Sequence, residues 1–370
     1  MPGPMVEPGP ELSNAYMPQN RPPGAEWNAC PGSGGVGTDM PASTASLHRI
    51  PSVPLSPGDE VDVRVYNDTS FTGVFSVNMD GTLTVPYLKD LKVAGLTTDE
   101  AEKRFARALV DAGFYPSTSV RVSIKPKRWA PIQISVAGAV FQPGRALVGE
   151  RKPEIVGEDQ LGDSTPGRYL SYAIKGAGGI RPYADLRHVQ FIRGQHTRTI
   201  DLTGVFTGAA VDDPPIIFGD RVVVPSSGCI QSNYIRPSQI TPPGIRVFLS
   251  NLTVPAAGNA QSAVTTQATN VPYGTRLLQG AISANCVGGT RTVNAARSVV
   301  LVTRNPITGE TEVVERSIEA LVTEKYRDAV NPYLMPGDGL ACYDSAVTNG
   351  RQVAGTISEI LATYVIARGL

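Results

Sequence analysis

Three aspartates in this chain stand directly after a glycine and directly before strand-forming residues. They are Asp59 in Leu55-Ser-Pro-Gly-Asp-Glu-Val-Asp-Val, Asp220 in Ile217-Phe-Gly-Asp-Arg-Val-Val-Val and Asp338 in Leu334-Met-Pro-Gly-Asp-Gly-Leu-Ala-Cys. An ionised carboxylate can serve as base, nucleophile or metal ligand, so a recurring aspartate is where chemistry would be sought first. The setting argues for structure instead. Gly58, Gly219 and Gly337 supply a tight turn at little steric cost, and an aspartate beside them can hydrogen-bond its own turn backbone. Gly58, Asp59, Gly219, Asp220, Gly337 and Asp338 are therefore read as structural turns.

The other candidates are weaker. Asp212-Asp213 offers paired carboxylates, but Pro214-Pro215 follows and makes the segment a loop with turn-forming acids. No Ser/His/Asp or Cys/His arrangement can be placed, and no Gly-x-Ser-x-Gly elbow occurs. The cysteines (Cys30, Cys229, Cys286, Cys342) include no C-x-x-C pair, and His48, His188 and His196 are scattered, so neither a metal site nor a cofactor is expected. In an oxidising compartment the four cysteines allow three full pairings. Gly32, Gly34 and Gly37 fit the dinucleotide spacing, but no strand precedes them and no helix follows, so the segment reads as linker. Arg181 and Arg291 follow Gly-Gly turns, where a structural or interface role outweighs contact with an acidic sugar. The chain is not expected to be an enzyme.

The elements that position these residues are many and short. At 370 residues the chain has room for two to four domains, and 41% hydrophobic content is that of a folded protein. Lys plus Arg equals Asp plus Glu at 33 each, which argues against a nucleic-acid partner. No segment reaches the roughly 18 apolar residues of a spanning helix. Met1 to Asn20 lacks the apolar core of a signal peptide, leaving a cytosolic protein or a chain whose start is not that of the primary product.

Residues 1–50 read as an extended tail rich in Pro, Gly, Ser and Asn. Glu60 to Tyr66 alternates with the period of a half-buried strand, and Phe75 to Pro86 predicts a hairpin turning at Asp80-Gly81. Thr97-Thr-Asp-Glu100 opens a helix as a capping box, with Ala101, Phe105, Ala108, Leu109 and Ala112 as its buried stripe and Gly113 as its C-cap. Ser119 to Lys125 is a last strand. Residues 132–227 and 245–344 then repeat one order: short helix (Tyr169 to Ala177, Thr275 to Ala284), strand (Val189 to Arg193, Val299 to Arg304), second strand near Thr199 or Val313, Gly-Asp turn, terminal strand. Gly178-Gly-Ile-Arg181 aligns without gaps on Gly288-Gly-Thr-Arg291. The order is that of a β-grasp used twice.

In these motifs, from Leu55 to about residue 344, the chain resembles the polysaccharide biosynthesis/export family of bacterial outer-membrane exporters. The match runs through Leu55-x-Pro-Gly-Asp-x-Val-x-Val, Phe75-x-Val-x-x-Asp-Gly-x-Leu-x-Val-Pro86 and the helix at Thr97, then Ile134-Ser-Val-Ala-Gly-Ala-Val-x-x-Pro-Gly144 and the two repeats. The resemblance implies an α+β chain: tail 1–50, export domain 51–130, first β-grasp 131–228 and second β-grasp 245–345 of the soluble-ligand-binding (SLBB) kind, and a C-terminal amphipathic helix 346–370. It also implies a ring of identical protomers, usually eight, in the periplasm and outer membrane, with an inner-membrane polysaccharide copolymerase as partner. It favours an envelope protein over a cytosolic one. Cys30 follows Trp27-Asn28-Ala29 with no apolar run, so it is read as a linker or disulfide cysteine before a lipidation site.

Asn349 to Arg368 places Val353, Ile357, Ile360, Leu361 and Tyr364 on one side of a helix and Gln352, Thr356, Glu359 and Thr363 on another. Twenty residues span about 30 Å, the thickness of a bilayer's hydrocarbon core. One such helix would strand Glu359 and Gln352 in lipid; a ring of them would turn those residues to a wet lumen. The expectation is an oligomeric outer-membrane conduit for capsular polysaccharide or exopolysaccharide. Gln352, Thr356, Glu359 and Thr363 would line the pore, and the apolar set would meet outer-membrane lipid or neighbouring helices. The alternative is a periplasmic polysaccharide-binding adaptor that docks on a separate outer-membrane barrel.

Overall fold

The computed structural model describes residue 30 and residues 52–116, 120–149, 167–251, 270–287, 297–305, 307–323 and 330–343. These fall into two compact units, one within residues 37–226 and the other within residues 227–370 together with Cys30. Each mixes helices with sheets, so the α+β expectation holds. The C-terminal helix and all nine residues assigned to its two faces lie outside the described residues.

The first unit begins with a three-stranded antiparallel sheet in which β1 (Glu60–Val65) lies between β2 (Asp68–Ser76) and β5 (Val122–Arg128). Val61, Val63 and Val65 are buried, as the alternation predicts. The turn of the predicted hairpin forms at Asn78 to Gly81, where the Gly81 N–H donates to Asn78 O at 2.8 Å and glycine takes φ +81°. Its arms separate, however. β2 pairs with β1, whereas β3 (Thr82–Leu83) pairs with β4 (Leu91–Lys92), and only Val77 and Leu83 bridge the two directly. Val77, Leu83, Val85 and Val93 all enter the core beside Leu55 and Phe105. Burying four apolar side chains outweighs the backbone bonds a longer hairpin would add.

Helix α1 (Thr98–Asp111) starts with the predicted capping box: Glu100 N–H donates to Thr97 Oγ1 at 3.3 Å and Thr97 N–H donates to Glu100 Oε2 at 2.8 Å. Ala101, Phe105 and Leu109 are buried, whereas Ala108 is half-buried and Ala112 exposed, so the stripe is narrower than its period suggests. Gly113 at φ +78° ends the helix, and Phe114 N–H donates back to Leu109 O at 3.1 Å. The last strand forms three residues later than predicted because its register on β1 puts Ile124 opposite Val63 in the core.

The same unit continues with a five-stranded sheet made from β6 (Ile132–Gly138), β7 (Gly144–Val148), β8 (Val189–Arg193), β9 (His196–Ile200) and β10 (Arg221–Val224). Its order is β7-β6-β10-β8-β9, with β6 and β10 parallel and every other pair antiparallel. Two hairpins flank a central parallel pair, and α2 (Leu170–Gly176) packs on the sheet through Leu170, Ala173 and Ile174. That is the β-grasp order. A single turn, α3 (Gly204–Thr207), precedes β10.

The second unit repeats it. The ribbon β11 (Gly244–Arg246) and β13 (Asn270–Pro272) accompanies a sheet ordered β12 (Phe248–Asn251), β16 (Gly339–Tyr343), β14 (Ser298–Arg304), β15 (Thr311–Ser317), with β12 and β16 parallel. α4 (Leu277–Ser283) takes the place of α2, and α5 (Ile318–Thr323) follows β15. The repeat is not gapless. Behind α2, Gly178 takes φ +77° and Gly179 N–H donates to Ile174 O; behind α4, Asn285 takes φ +57° and Cys286 N–H donates to Ala281 O. Asn285 and Cys286 thus stand where Gly178 and Gly179 do, three residues ahead of the Gly-Gly pair that aligns with them in sequence. Asparagine tolerates the left-handed region well enough to hide that shift.

Candidate functional site

The Gly-Asp turn has one geometry in all three places. Glycine lies at φ +89°, +88° and +87° at positions 58, 219 and 337. The aspartate N–H donates to the carbonyl three residues back, at 3.2 Å to Ser56, 3.2 Å to Ile217 and 3.1 Å to Met335. In return, its Oδ2 accepts from that residue's own N–H at 2.7, 2.8 and 2.7 Å. Each carboxylate is thereby spent on its turn and buried, with exposures of 0%, 2% and 2%. Buried charge has to be compensated, and the three sites differ in what does it.

Asp59 meets Arg168, which is itself fully buried. Arg168 Nη1 donates to Asp59 Oδ2 at 3.0 Å and Nη2 to Oδ1, a bidentate fork. Nη2 also donates to Ala130 O, Asp59 Oδ1 accepts from Ala130 N–H at 2.8 Å, and the guanidinium lies 5.1 Å from the centroid of Trp129. One ion pair therefore ties the turn before β1 to the segment between the β2-β1-β5 sheet and the five-stranded sheet. No sequence signal marked Arg168. Asp220 meets Arg193 at the end of β8, with Nε and Nη2 donating at 3.0 and 2.8 Å. Asp338 has Thr303 instead, whose hydroxyl donates to Oδ1 at 2.7 Å. Burial pushes the Asp338 carboxyl up to about 7, opposed by the bonds from Met335 N–H and Thr303.

The remaining acids have structural partners too. Asp213 caps α2 from outside the helix: Ser171 N–H and Oγ donate to its carboxylate at 3.0 and 2.6 Å. Burial raises the Asp213 carboxyl above the usual range. Asp212 pairs with Arg198 on the surface. Asn331 does for α4 what Asp213 does for α2, accepting from Leu278 N–H at 2.9 Å. Arg181 is used within its own module, donating to Val140 O at 2.9 Å and to the Tyr183 hydroxyl at 3.1 Å. Arg291 lies outside the described residues. His188 meets Asp185 at 2.7 Å on the surface, and His196 is exposed on β9.

Two disulfides select one of the three cysteine pairings. Cys30 joins Cys229 and Cys286 joins Cys342, with Cα separations of 5.0 and 5.9 Å. They close loops of 199 and 56 residues, worth on the order of 4–5 kcal/mol each in a chain-entropy account. Cys342 stands on β16 where Val224 stands on β10.

Two surface features lie near the first Gly-Asp turn. A shallow cleft of about 190 Å³ opens between the first and second Gly-Asp turns, lined by Ser56, Met79, Lys92 and Phe218 among others. Beside its Met79 rim the hairpin carries a hydrogen-bonded row. Asn78 Nδ2 donates to Thr82 and Thr84 hydroxyls at 3.2 and 2.9 Å, and Thr84 Oγ1 donates to Asp90 Oδ1 at 2.7 Å. Bonds from Thr82 hydroxyl and N–H hold the Asp80 carboxyl below its usual range. Among the described residues no helix is long and apolar enough to cross a membrane, which says nothing of a β-barrel. The carboxylates of the three Gly-Asp turns and of Asp213 are each hydrogen-bonded within the fold.

Residues 49–125, the stretch that folds as the β2-β1-β5 sheet and α1, match the family described as polysaccharide biosynthesis/export protein. Two proteins named polysialic acid transport protein KpsD, both of Escherichia coli, are 26% identical to the chain over 140 residues, 38% of this chain. The match spans 22% of the length of each of these relatives.

Proposed function

From a chain that carries a polysaccharide biosynthesis/export domain at residues 49–125, we propose an oligomeric conduit for capsular polysaccharide or exopolysaccharide in the periplasm and outer membrane. The observation that carries this reading is the order of parts: an export domain fixed through Asp59–Arg168 to a β-grasp module, then a second β-grasp on the same plan. Two disulfides support an oxidising compartment outside the cytoplasm. The mechanism is geometric and breaks no bond. Protomers close a ring, and hydrated polymer passes along its axis while the wall stays sealed. Residues 346–370 supply the membrane-crossing part, with Gln352, Thr356, Glu359 and Thr363 toward the lumen, and an inner-membrane copolymerase delivers the polymer.

Removing residues 349–370 tests the membrane-crossing part. The truncated protein is expected to stay folded, leave the outer-membrane fraction and stop exporting polymer. Continued insertion and export would overturn the α-barrel. Imaging of detergent-extracted particles is expected to show rotational symmetry, and a stable monomer would overturn the ring.

A further inference from the structure

Tyr87 combines two properties that nothing in the fold requires. Its backbone sits at φ +65°, and its side chain is 81% exposed, the highest value among the large apolar side chains of the described residues. The other non-glycine residues with positive φ are Asn67 and Asn285, a residue type that visits this region readily. Tyrosine does not. Pro86 and the Leu88 N–H, which donates to Val85 O at 3.2 Å, form a turn whose third position calls for glycine or asparagine. A strained backbone is kept only when something else depends on it, and burial of the ring is not that thing here.

We propose that Tyr87 is a stacking platform for a pyranose ring of the exported polymer, an assignment that rests on the export reading above. The axial C–H face of a sugar packs on an aromatic face, and its hydroxyls need groups that accept and donate alongside. The row at the base of the loop that carries Tyr87 supplies them. Thr84 and Asp90 close the base of the loop, and Asn78 is fixed by its two threonine partners. That leaves Asn78 Oδ1 and Asp90 Oδ2 with accepting capacity and no partner among the described residues. A protein-docking hot spot would instead set the ring in an apolar surround. Here the exposed residues next to Tyr87 in the loop include the charged Lys89 and Asp90 beside Pro86, with Met79 the exposed apolar side chain of the adjoining hairpin turn. Because the row is already bonded in place, little ordering cost remains for binding.

The test compares Tyr87→Gly and Tyr87→Phe in the full-length chain. Glycine removes the ring and suits φ +65°, so the melting temperature is expected to hold or rise, which separates the ring's role from folding. Binding of surface polymer purified from the producing cells is expected to weaken about fivefold in Tyr87→Gly, the equivalent of one aromatic contact near 1 kcal/mol. Surface polymer should fall with it at equal protein abundance, and Tyr87→Phe should behave as wild type. Wild-type binding and export by Tyr87→Gly would overturn the site. So would a change in oligomer mass in that variant, which would assign the ring to a protein contact. Cells lacking the whole chain separate the two claims: full export there sinks the export reading itself, whereas loss there with full export by Tyr87→Gly sinks only this site.

Discussion

The two β-grasp modules share the order of four strands, helix placement and a Gly-Asp turn alike to within a degree of φ and a tenth of an ångström, yet they stabilise the buried carboxylate by different chemistry. Asp220 has a guanidinium from β8; Asp338 has a hydroxyl from β14. Register makes these equivalent positions, since Phe191 faces Val222 in one sheet and Leu301 faces Leu340 in the other, placing Thr303 where Arg193 stands. At Asp338, with a lone hydroxyl beside it in a buried site, desolvation dominates and raises the carboxyl. Where the second module lacks the arginine it has a disulfide, Cys286–Cys342, joining the turn behind α4 to β16. Backbone geometry is what the repeat preserves; the means of stabilising it differ between the copies.

The largest blow to the contrast would fall on the first unit. Arg168→Leu leaves Asp59 buried without its cation and is expected to lower that unit's stability by about 3–5 kcal/mol. Calorimetry would then show one transition moved and the other unchanged. A single shifted transition for the whole chain would mean the units do not melt separately. Next comes Cys286→Ala with Cys342→Ala, expected to cost roughly 2–5 kcal/mol in the second unit alone, read as a lower urea midpoint for that unit.

A pH titration sharpens the comparison further. The Asp338 carboxyl sits at about 7 when folded, above the ordinary 3.8, so the folded state prefers its protonated form. Stability of the second unit is therefore expected to be greatest below pH 4 with respect to this group and to decline as pH rises toward 7. Asp338→Asn should flatten that slope in urea midpoints measured across the range, and an unchanged slope would place its origin elsewhere. The smallest effect concerns the caps. Asp213→Ala and Asn331→Ala should each cost about 1 kcal/mol, in the first and second unit respectively. Only the Asp213 variant should also alter the pH dependence, because only that cap titrates.

Much of the fold was legible because it is local. The capping box at Thr97, the turn at Asp80-Gly81, the helices before each Gly-Gly pair and the strands at 189–193 and 298–304 all depend on residues close in sequence. The arms of the hairpin were not legible, since their separation follows from which side chains reach a core assembled from residues 53 to 129. Tyr87 gave no signal either: the pattern Val-Pro-Tyr-Leu reads as an ordinary turn until the backbone shows which residue takes positive φ.

By itself the sequence determined the local elements, the capping box at Thr97, the turn at Asp80-Gly81 and the three Gly-Asp turns, because periodicity and turn residues act over a few residues at a time. Tertiary structure alone decided what each Gly-Asp turn faces. Arg168 lies 109 residues from Asp59, Arg193 lies 27 from Asp220 and Thr303 lies 35 from Asp338. No short-range pattern carries such pairings. They exist because strand register and burial bring a particular side chain to a carboxylate that cannot reach water, and that requirement arises only once the core has closed.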